Sequence, residues 1–145
     1  MKNNLVLFLF ILMSSFSIAQ NKLTWEQMAK VTFKEKYLET LDQLVLYPTF
    51  PTTLNQLNGK NVEITGYFLD IHPTKKTYIL SKNPMASCFF CGGAGPETAM
   101  ELQFSTVQKI ETDAIVTITG KLFLNKDDIE HFNFILRQCK VTKTH

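Results

Sequence analysis

The chain has 145 residues, with 15 lysine and arginine residues against 13 aspartate and glutamate residues, and a formal net charge of +2 at pH 7. A charge so close to neutrality offers no basic surface for a polyanion, so nucleic acid is excluded as the predicted partner. The length suits one domain with a genuine core, and the 3 cysteines can form at most one internal disulfide.

The first residues indicate export. Lys2 is followed by an unbroken apolar run over residues 5–13, and residues 17–19 form a small-residue cleavage site. The apolar run is shorter than the roughly 20 residues that cross a bilayer, so no stable membrane span is predicted after cleavage. We therefore assign residues 1–19 to a signal peptide and predict a mature protein that is exported, to the periplasm or the medium.

Residues 20–56 are predicted to form a short helix and a strap. Thr24 and Gln27 stand three apart, as in the capping box that opens a helix. Residues 31–45 carry two patterns in turn, an apolar alternation that predicts a strand and then a leucine spacing that predicts a turn of helix. Residues 47–51 contain two prolines, which remove backbone donors, so an irregular strap across the barrel is predicted there.

Five strands are predicted in the remaining chain, residues 57–145. Alternating apolar residues mark them, and Gly66 and Gly120 lie inside the first and the fourth, where a glycine usually marks a bulge or a bend. A connection over residues 106–113 is long enough for about two helical turns or an irregular loop. This order predicts a mainly β fold, a five-stranded OB-like Greek-key barrel with a short N-terminal helix. The predicted strands span residues 61–71, 77–81, 99–105, 114–124 and 131–141.

Two phrases of this framework resemble a known family. They read LNGKNVEITGYF at residues 57–68 and VTITGKL at residues 116–122. Both are similar to the framework of an exported bacterial OB-fold-like family that is catalogued only as a domain of unknown function. The resemblance covers residues 57–141, and it implies an envelope location and a binding role.

The loop over residues 83–97, called the thiol loop below, departs from that family. Cys88 takes the position of the family's loop cysteine, Cys91 is an addition, and glycines stand where the family has prolines. A CxxC pair followed by glycine is a common half-site for zinc, because two thiolates can bind one cation and glycine lets backbone amides approach the sulfur atoms. Four residues are predicted to shape the loop: Gly92, Gly93, Gly95 and Pro96.

Two sulfur atoms supply half of a zinc site, so the metal hypothesis needs further ligands. Cys139 is the first candidate, because the last strand of such a barrel can lie near the loop that follows the second strand. His131 is a weaker candidate, and Glu97, Glu101 and His72 are the other side chains of suitable chemistry. A second protomer is the remaining source of ligands.

Two alternatives use the same cysteines without a metal. In an oxidising compartment a CxxC pair can exchange electrons with partner thiols, which predicts a thiol–disulfide redox accessory protein of the envelope. The segment holds no lysine, arginine or histidine that would activate a thiol. The third alternative is a purely structural interaction domain, in which Cys88 and Cys91 form a disulfide and Cys139 is buried. The sequence leaves the three alternatives open.

The favoured prediction is an exported binding module whose thiol loop engages a metal ion, with zinc as the favoured cofactor, or an envelope protein. Phe89 and Phe90 lie between the two cysteines and are candidate contacts for such a partner, the alternative being that both are core residues. No catalytic triplet and no phosphate-binding glycine motif occurs in the sequence, so an enzyme is not predicted. No oligomeric state is predicted.

Overall fold

Strands are the main regular structure of the described residues, which confirms the predicted mainly β fold class. The structure, a computed structural model, describes residues 21–39, 42–72 and 77–145. The predicted signal peptide at residues 1–19 lies outside these ranges. The elements in chain order are β1 (Asn21–Lys22), α1 (Trp25–Met28), β2 (Thr32–Leu38), β3 (Gln43–Thr49), α2 (Thr52–Asn55), β4 (Asn61–His72), β5 (Thr77–Ser81), β6 (Ala99–Gln103), β7 (Ile115–Leu124) and β8 (Phe134–Thr144).

Six of these strands form one sheet in the order β1-β4-β5-β6-β8-β7, and β4 also pairs with β7. The pairs β1–β4 and β6–β8 are parallel, and the other pairs in this sheet are antiparallel. A series of pairings that starts at β4 and passes through β5, β6, β8 and β7 therefore returns to β4. The five strands in this series are those predicted from residues 57–145.

The predicted helix at Thr24 is present, and the capping box that predicted it is formed. The side chain of Thr24 accepts a hydrogen bond from the backbone N–H of Gln27, and the side chain of Gln27 accepts one from the backbone of Thr24. The indole of Trp25 then donates to the carbonyl oxygen of Thr65 at 2.8 Å, which fixes the helix against β4.

The strand predicted at the start of residues 31–45 is present as β2, whereas the turn of helix predicted after it, outside residues 40–41 that are not described, and the irregular strap predicted for residues 47–51 are wrong. Strands β2 and β3 form an antiparallel hairpin in which Tyr37 pairs with Leu44 and Phe33 pairs with Pro48. Among the described residues neither strand pairs with the main sheet. Pro48 is tolerated because β3 has a partner on one side only, and an edge strand can do without one backbone donor.

The main sheet buries apolar side chains on both faces. Successive residues of a strand point to opposite faces, so Phe68 of β4 and Leu80 of β5 enter the main core while their neighbours Leu69 and Ile79 point the other way. This second face is covered by the thiol loop, because Cys88 belongs to the same buried cluster as Leu69 and Ile79. The loop is therefore held down over its first residues by apolar contact with the outer side of the sheet.

Both strand-interior glycines are explained by close packing. A Cβ atom at Gly66 would lie 2.6 Å from the carbonyl oxygen of Ser81 and 2.9 Å from the ring of Trp25. A Cβ atom at Gly120 would lie 2.8 Å from the carbonyl oxygen of Arg137, and the register between β7 and β8 shifts at this point, as at a bulge.

The last strand starts later than predicted, at Phe134 instead of residue 131. The side-chain amide of Asn125 donates to the carbonyl oxygens of Asp128, His131 and Phe132, at 2.6, 3.2 and 3.2 Å. These bonds hold residues 125–133, called the acidic loop below, in a closed turn, which keeps His131 out of β8.

Candidate functional site

The thiol loop is built from three short 3-10 turns, Met85–Ser87, Phe89–Cys91 and Pro96–Thr98. The carbonyl oxygen of Met85 accepts from the backbone N–H of Cys88 at 3.3 Å and from the thiol of Cys91 at 3.1 Å. Cys88 is extended between the first two turns, and both of these hydrogen bonds converge on the Met85 carbonyl oxygen.

The two cysteines of the CxxC pair are joined by a backbone hydrogen bond of 3.1 Å, from the N–H of Cys91 to the carbonyl oxygen of Cys88, but they differ in exposure. Cys88 is buried, with 1% of its surface accessible, and Cys91 is exposed. Both are free thiols. A hydrogen bond with the Cys88 side chain raises the pKa of the Cys91 thiol above its ordinary value, and partial desolvation and the charge of Cys88 add to the rise. The pair can therefore close on a ligand or on itself, with Cys91 as the outer member.

The glycines of the thiol loop lie where a side chain would strain the backbone or collide with a neighbouring atom. Gly92 has φ of +73°, which favours glycine, and its backbone N–H donates to the carbonyl oxygen of Phe89, so it ends the turn that carries Cys91. At Gly93 a Cβ atom would lie 3.2 Å from the carbonyl oxygen of Ser87. At Gly95 it would meet the carboxylate of Glu97, which folds back over the chain.

The second half of the loop is closed by Pro96, which opens the third 3-10 turn, and by a hydrogen bond between its two ends. The backbone N–H of Lys82 donates to the carbonyl oxygen of Thr98 at 2.9 Å. The hydroxyl of Thr98 donates to the carbonyl oxygen of Gly95 at 2.7 Å. The sulfur atoms are thus presented by a loop whose base continues the β5–β6 ladder.

Phe89 and Phe90 join Phe132 of the acidic loop in an aromatic cluster. The ring centroids of Phe89 and Phe90 are 5.5 Å apart, and those of Phe90 and Phe132 are 5.7 Å apart, both edge to face. Phe89 packs on the outer sheet cluster, whereas 48% of the surface of Phe90 is accessible. The Phe89 ring is thus part of the buried cluster, and the Phe90 ring faces solvent.

His131 is held by a carboxylate. Its Nδ1 atom lies 2.8 Å from Oε2 of Glu101, which also accepts from the backbone N–H of Phe132 at 3.4 Å. The other oxygen of Glu101 accepts from the side-chain amide of Gln103 at 2.8 Å. The hydrogen bond and the charge of Glu101 raise the pKa of His131. This pair ties the acidic loop to β6.

Cys139 lies apart from the CxxC pair. It belongs to the main core, with its thiol donating to the carbonyl oxygen of Leu136 at 3.0 Å, whereas Cys88 belongs to the cluster on the outer face. Burial raises the pKa of the Cys139 thiol to about 12. Gln138, with φ of +56°, places the bulge that turns Cys139 inward.

The sequence-predicted ligands therefore divide into separate groups. Cys88 and Cys91 come together, Cys139 lies in the core, and His131 pairs with Glu101. In the described ranges no three histidine, cysteine, aspartate or glutamate side chains converge on a point that could hold a metal ion. His72 lies at the end of β4, and its side chain is outside the described atoms.

A groove of about 460 Å³ runs beside the thiol loop. The far wall of the groove is the β2–β3 hairpin. The sequence did not predict this wall, because it predicted a turn of helix and a strap where β3 lies. Lys36 and Tyr47 face the groove from the hairpin, the Lys36 ammonium lying 4.4 Å from the Tyr47 ring centroid. The Tyr47 hydroxyl donates to Asp127 at 2.8 Å, which bridges the hairpin and the acidic loop. The remaining lining residues are Leu38, Gln43, Val45, Leu46, Phe89, Phe90, Pro96, Lys126, Asp128, Ile129, Glu130, His131, Phe132 and Asn133.

A solved structure shares the fold of this chain. It is the crystal structure of a DUF3299 family protein from Pseudomonas aeruginosa, with a TM-score of 0.51 and 12% sequence identity, over 87% of this chain and 95% of that one. The likeness agrees, at the level of the fold, with the predicted resemblance to a domain of unknown function. No family model matches the sequence, and no curated protein matches it. None of the described helices is long and apolar enough to cross a membrane.

Proposed function

We propose that this chain is an exported OB-like binding module of the cell envelope. The cyclic pairing of β4, β5, β6, β8 and β7 supports an OB-like Greek-key barrel, because it joins five strands in the order such a barrel uses and includes the parallel pair β6–β8. The signal-like residues 1–19 support export. Domains of this shape bind their ligands through the loops between strands, and the thiol loop and the acidic loop are two such loops.

The ligand is a segment of an envelope protein that lies in the groove and carries large apolar side chains flanked by lysine or arginine. The observation that carries this proposal is the exposed ring of Phe90 beside the half-buried Val45 and Phe132, an apolar strip of groove wall. A large accessible aromatic side chain in a groove is a typical anchor point for a protein partner.

Charge on the groove rim favours a basic partner. The acidic loop contributes Asp127, Asp128 and Glu130, all of them exposed, against the ammonium groups of Lys36 and Lys126. Both lysines lie over aromatic rings, at 4.4 Å from Tyr47 and 5.8 Å from Phe50. The rim therefore offers carboxylates to a lysine or arginine of the incoming segment.

Short synthetic peptides test this proposal. Peptides with two aromatic residues flanked by lysines, and matched peptides flanked by glutamates, are titrated into the protein by fluorescence anisotropy. We expect the lysine-flanked peptides to bind and the others to bind more weakly, with an affinity that falls as salt is added. Phe90→Ala should weaken binding about fivefold or more, and Glu130→Gln should weaken it to a smaller extent.

Matched controls lie outside the groove. Val107 is 54% accessible and Glu111 is exposed, and neither lines the groove, so Val107→Ala and Glu111→Gln should bind like the unaltered protein. Equal binding of both peptide sets, or equal loss in the control variants, would contradict the proposal.

Metal binding by the thiol loop is the second candidate function, and it is favoured because the turn Phe89–Cys91 holds Cys91 next to Cys88 through a backbone hydrogen bond of 3.1 Å. Zinc needs about four ligands, so a zinc ion held by these two sulfur atoms requires ligands from a partner or a second copy. Elemental analysis of anaerobically purified protein tests this candidate. Metal near one ion per chain, lost in Cys88→Ser combined with Cys91→Ser, is the expected result.

The thiol–disulfide alternative has less support. An attacking cysteine reacts as its thiolate, and the raised pKa of Cys91 keeps that thiol protonated near neutral pH. We therefore propose binding rather than turnover as the role of the site.

A further inference from the structure

Three sulfur-bearing residues follow one another at intervals of three in the thiol loop: Met85, Cys88 and Cys91. Met85 opens the first 3-10 turn and Cys91 ends the second, with Cys88 at the junction. The backbone at Cys88 is extended between the two turns, and the chain folds there so that the thiol of Cys91 reaches the backbone of Met85.

Observed contacts gather the same three residues. The carbonyl oxygen of Met85 accepts from the N–H of Cys88 and from the thiol of Cys91, at 3.3 and 3.1 Å. The Met85 side chain packs on the outer sheet cluster that contains Cys88. Exposure rises from buried Cys88 through half-buried Met85 to exposed Cys91. An incoming ion can therefore reach the group from the side of Cys91.

We propose that Met85, Cys88 and Cys91 bind a monovalent copper ion. This inference rests on the second candidate function, metal binding by the thiol loop, and names the ion. Thiolate and thioether sulfur are soft ligands that select monovalent copper, for which about two or three sulfur ligands suffice. Zinc prefers about four ligands, more than the three sulfur atoms of this loop, and magnesium and calcium require oxygen.

His131 and Glu101 are bonded to each other at 2.8 Å, and the thiol loop contains no histidine. The sulfur atoms are therefore the soft ligands that the loop offers. Phe89 and Phe90 lie between the two cysteines, with the Phe89 ring on the outer sheet cluster and the Phe90 ring exposed.

Binding is an exchange of ions and involves no change of oxidation state. Each cysteine sulfur loses its proton to solvent as it binds the copper ion, and the thioether of Met85 adds a neutral third ligand. The product is one copper ion held by two thiolates, with two protons released. The protein must hold Cys88 and Cys91 as reduced thiols before copper binds.

The experiment is a competition titration of the full-length reduced protein without oxygen. Monovalent copper is supplied as its complex with a coloured copper(I) chelator, and transfer to the protein is read from the loss of colour. We expect one copper per chain. Cys91→Ser, an exposed position that should leave folding intact, should weaken binding about 100-fold, and Met85→Leu about tenfold.

Controls use the same residue types elsewhere. Cys139→Ala and Met100→Leu alter residues of the main core, and we expect both to bind copper like the unaltered protein. X-ray absorption of the loaded protein should show sulfur ligands alone. Copper binding unaffected by Cys91→Ser would overturn the site, and binding unaffected by Met85→Leu would overturn the assignment of the third ligand.

The titration is repeated with zinc and a zinc indicator. If zinc binds in a manner that needs both loop cysteines and copper does not bind, the copper inference is wrong and the metal-binding function stands. If neither ion binds, both are wrong, and the peptide-binding groove is unaffected because its anchors are different side chains.

Discussion

The backbone N–H of Met85 donates a hydrogen bond to the carboxylate of Asp113 at 2.7 Å, which joins the start of the thiol loop to the connection before β7. Asp113 has φ of +69°, a left-handed conformation that aspartate, asparagine and glycine tolerate better than other residues. Its backbone N–H also donates to the carbonyl oxygen of Phe68 at 2.8 Å. One side chain thus fixes where the sulfur-bearing turns begin.

Asp113→Gly should loosen the thiol loop without straining the backbone. Glycine adopts the positive φ readily, but it lacks the carboxylate that accepts from the N–H of Met85. Loss of this hydrogen bond should lower the free energy of local opening by about 1 kcal/mol, which is about fivefold in the opening equilibrium. Hydrogen exchange of the Met85 amide measures this opening. Asp113→Asn keeps both the conformation and an acceptor oxygen, so its exchange should remain near that of the unaltered protein. Equal exchange in the two variants would show that the carboxylate does not hold the loop.

Gly66→Ala should destabilise the fold far more than Gly92→Ala. At Gly66 the new methyl group would lie 2.6 Å from a backbone oxygen of β5, so strands β4 and β5 must separate, at a cost above about 3 kcal/mol. At Gly92 the methyl group would meet nothing within 4 Å, and the cost is the left-handed conformation alone, about 1 kcal/mol. Urea denaturation of both variants gives the comparison, and similar midpoints would contradict it.

The alternation of apolar residues predicted β4, β5 and β7 well, because each of these strands has a face in the main core. It also predicted a strand at the start of residues 31–45, which is confirmed by β2, but it failed for β3. The sequence spacing of Leu38, Leu41 and Leu44, at intervals of three, suits a helix, and Pro48 suggested an irregular stretch, but β2 and β3 form a hairpin that is largely solvent-exposed. With little burial, β3 leaves no strict two-residue period in the sequence.

The CxxC pair of the candidate site was predictable, since the two cysteines are local neighbours. For Cys139 the sequence left two positions open, a ligand or a buried residue, and it is buried, because a bulge at Gln138 reverses which face the following residues use. One signal could have located the thiol loop. Tyr78, Ile79 and Leu80 are apolar on both faces of β5, which indicates that something covers the outer face as well.

His131 should make the fold more stable at low pH than at high pH within the neutral range. Its pKa in the folded protein is raised above the ordinary 6.5, first by the hydrogen bond with Glu101 and then by the charges of Glu101, Asp128 and Glu130. A raised pKa means that folding favours the protonated form. The gain is complete below pH 6.5 and is lost as the pH rises through the folded-state pKa.

Urea denaturation at a series of pH values checks this, with His131→Gln as the comparison. Glutamine can still bond to Glu101 but does not titrate, so the fall in stability across this range should be smaller in the variant. The difference is expected to be small, because exposed ion pairs contribute about 1 kcal/mol or less. A parallel pH dependence in the two proteins would mean that His131 titrates as it does in the unfolded chain.

The three thiols should react with iodoacetamide in a fixed order, which mass spectrometry of labelled peptides can follow. Cys91 is exposed and should react first, at a rate that increases with pH because the thiolate is the reactive form. Cys139 is buried, with a pKa of about 12, and should react only when the protein unfolds. Cys88→Ala removes the largest cause of the raised pKa of Cys91, so it should speed the labelling of Cys91 at a given pH. Rapid labelling of Cys91 near pH 7 in the unaltered protein would instead indicate an activated thiol and favour the redox alternative.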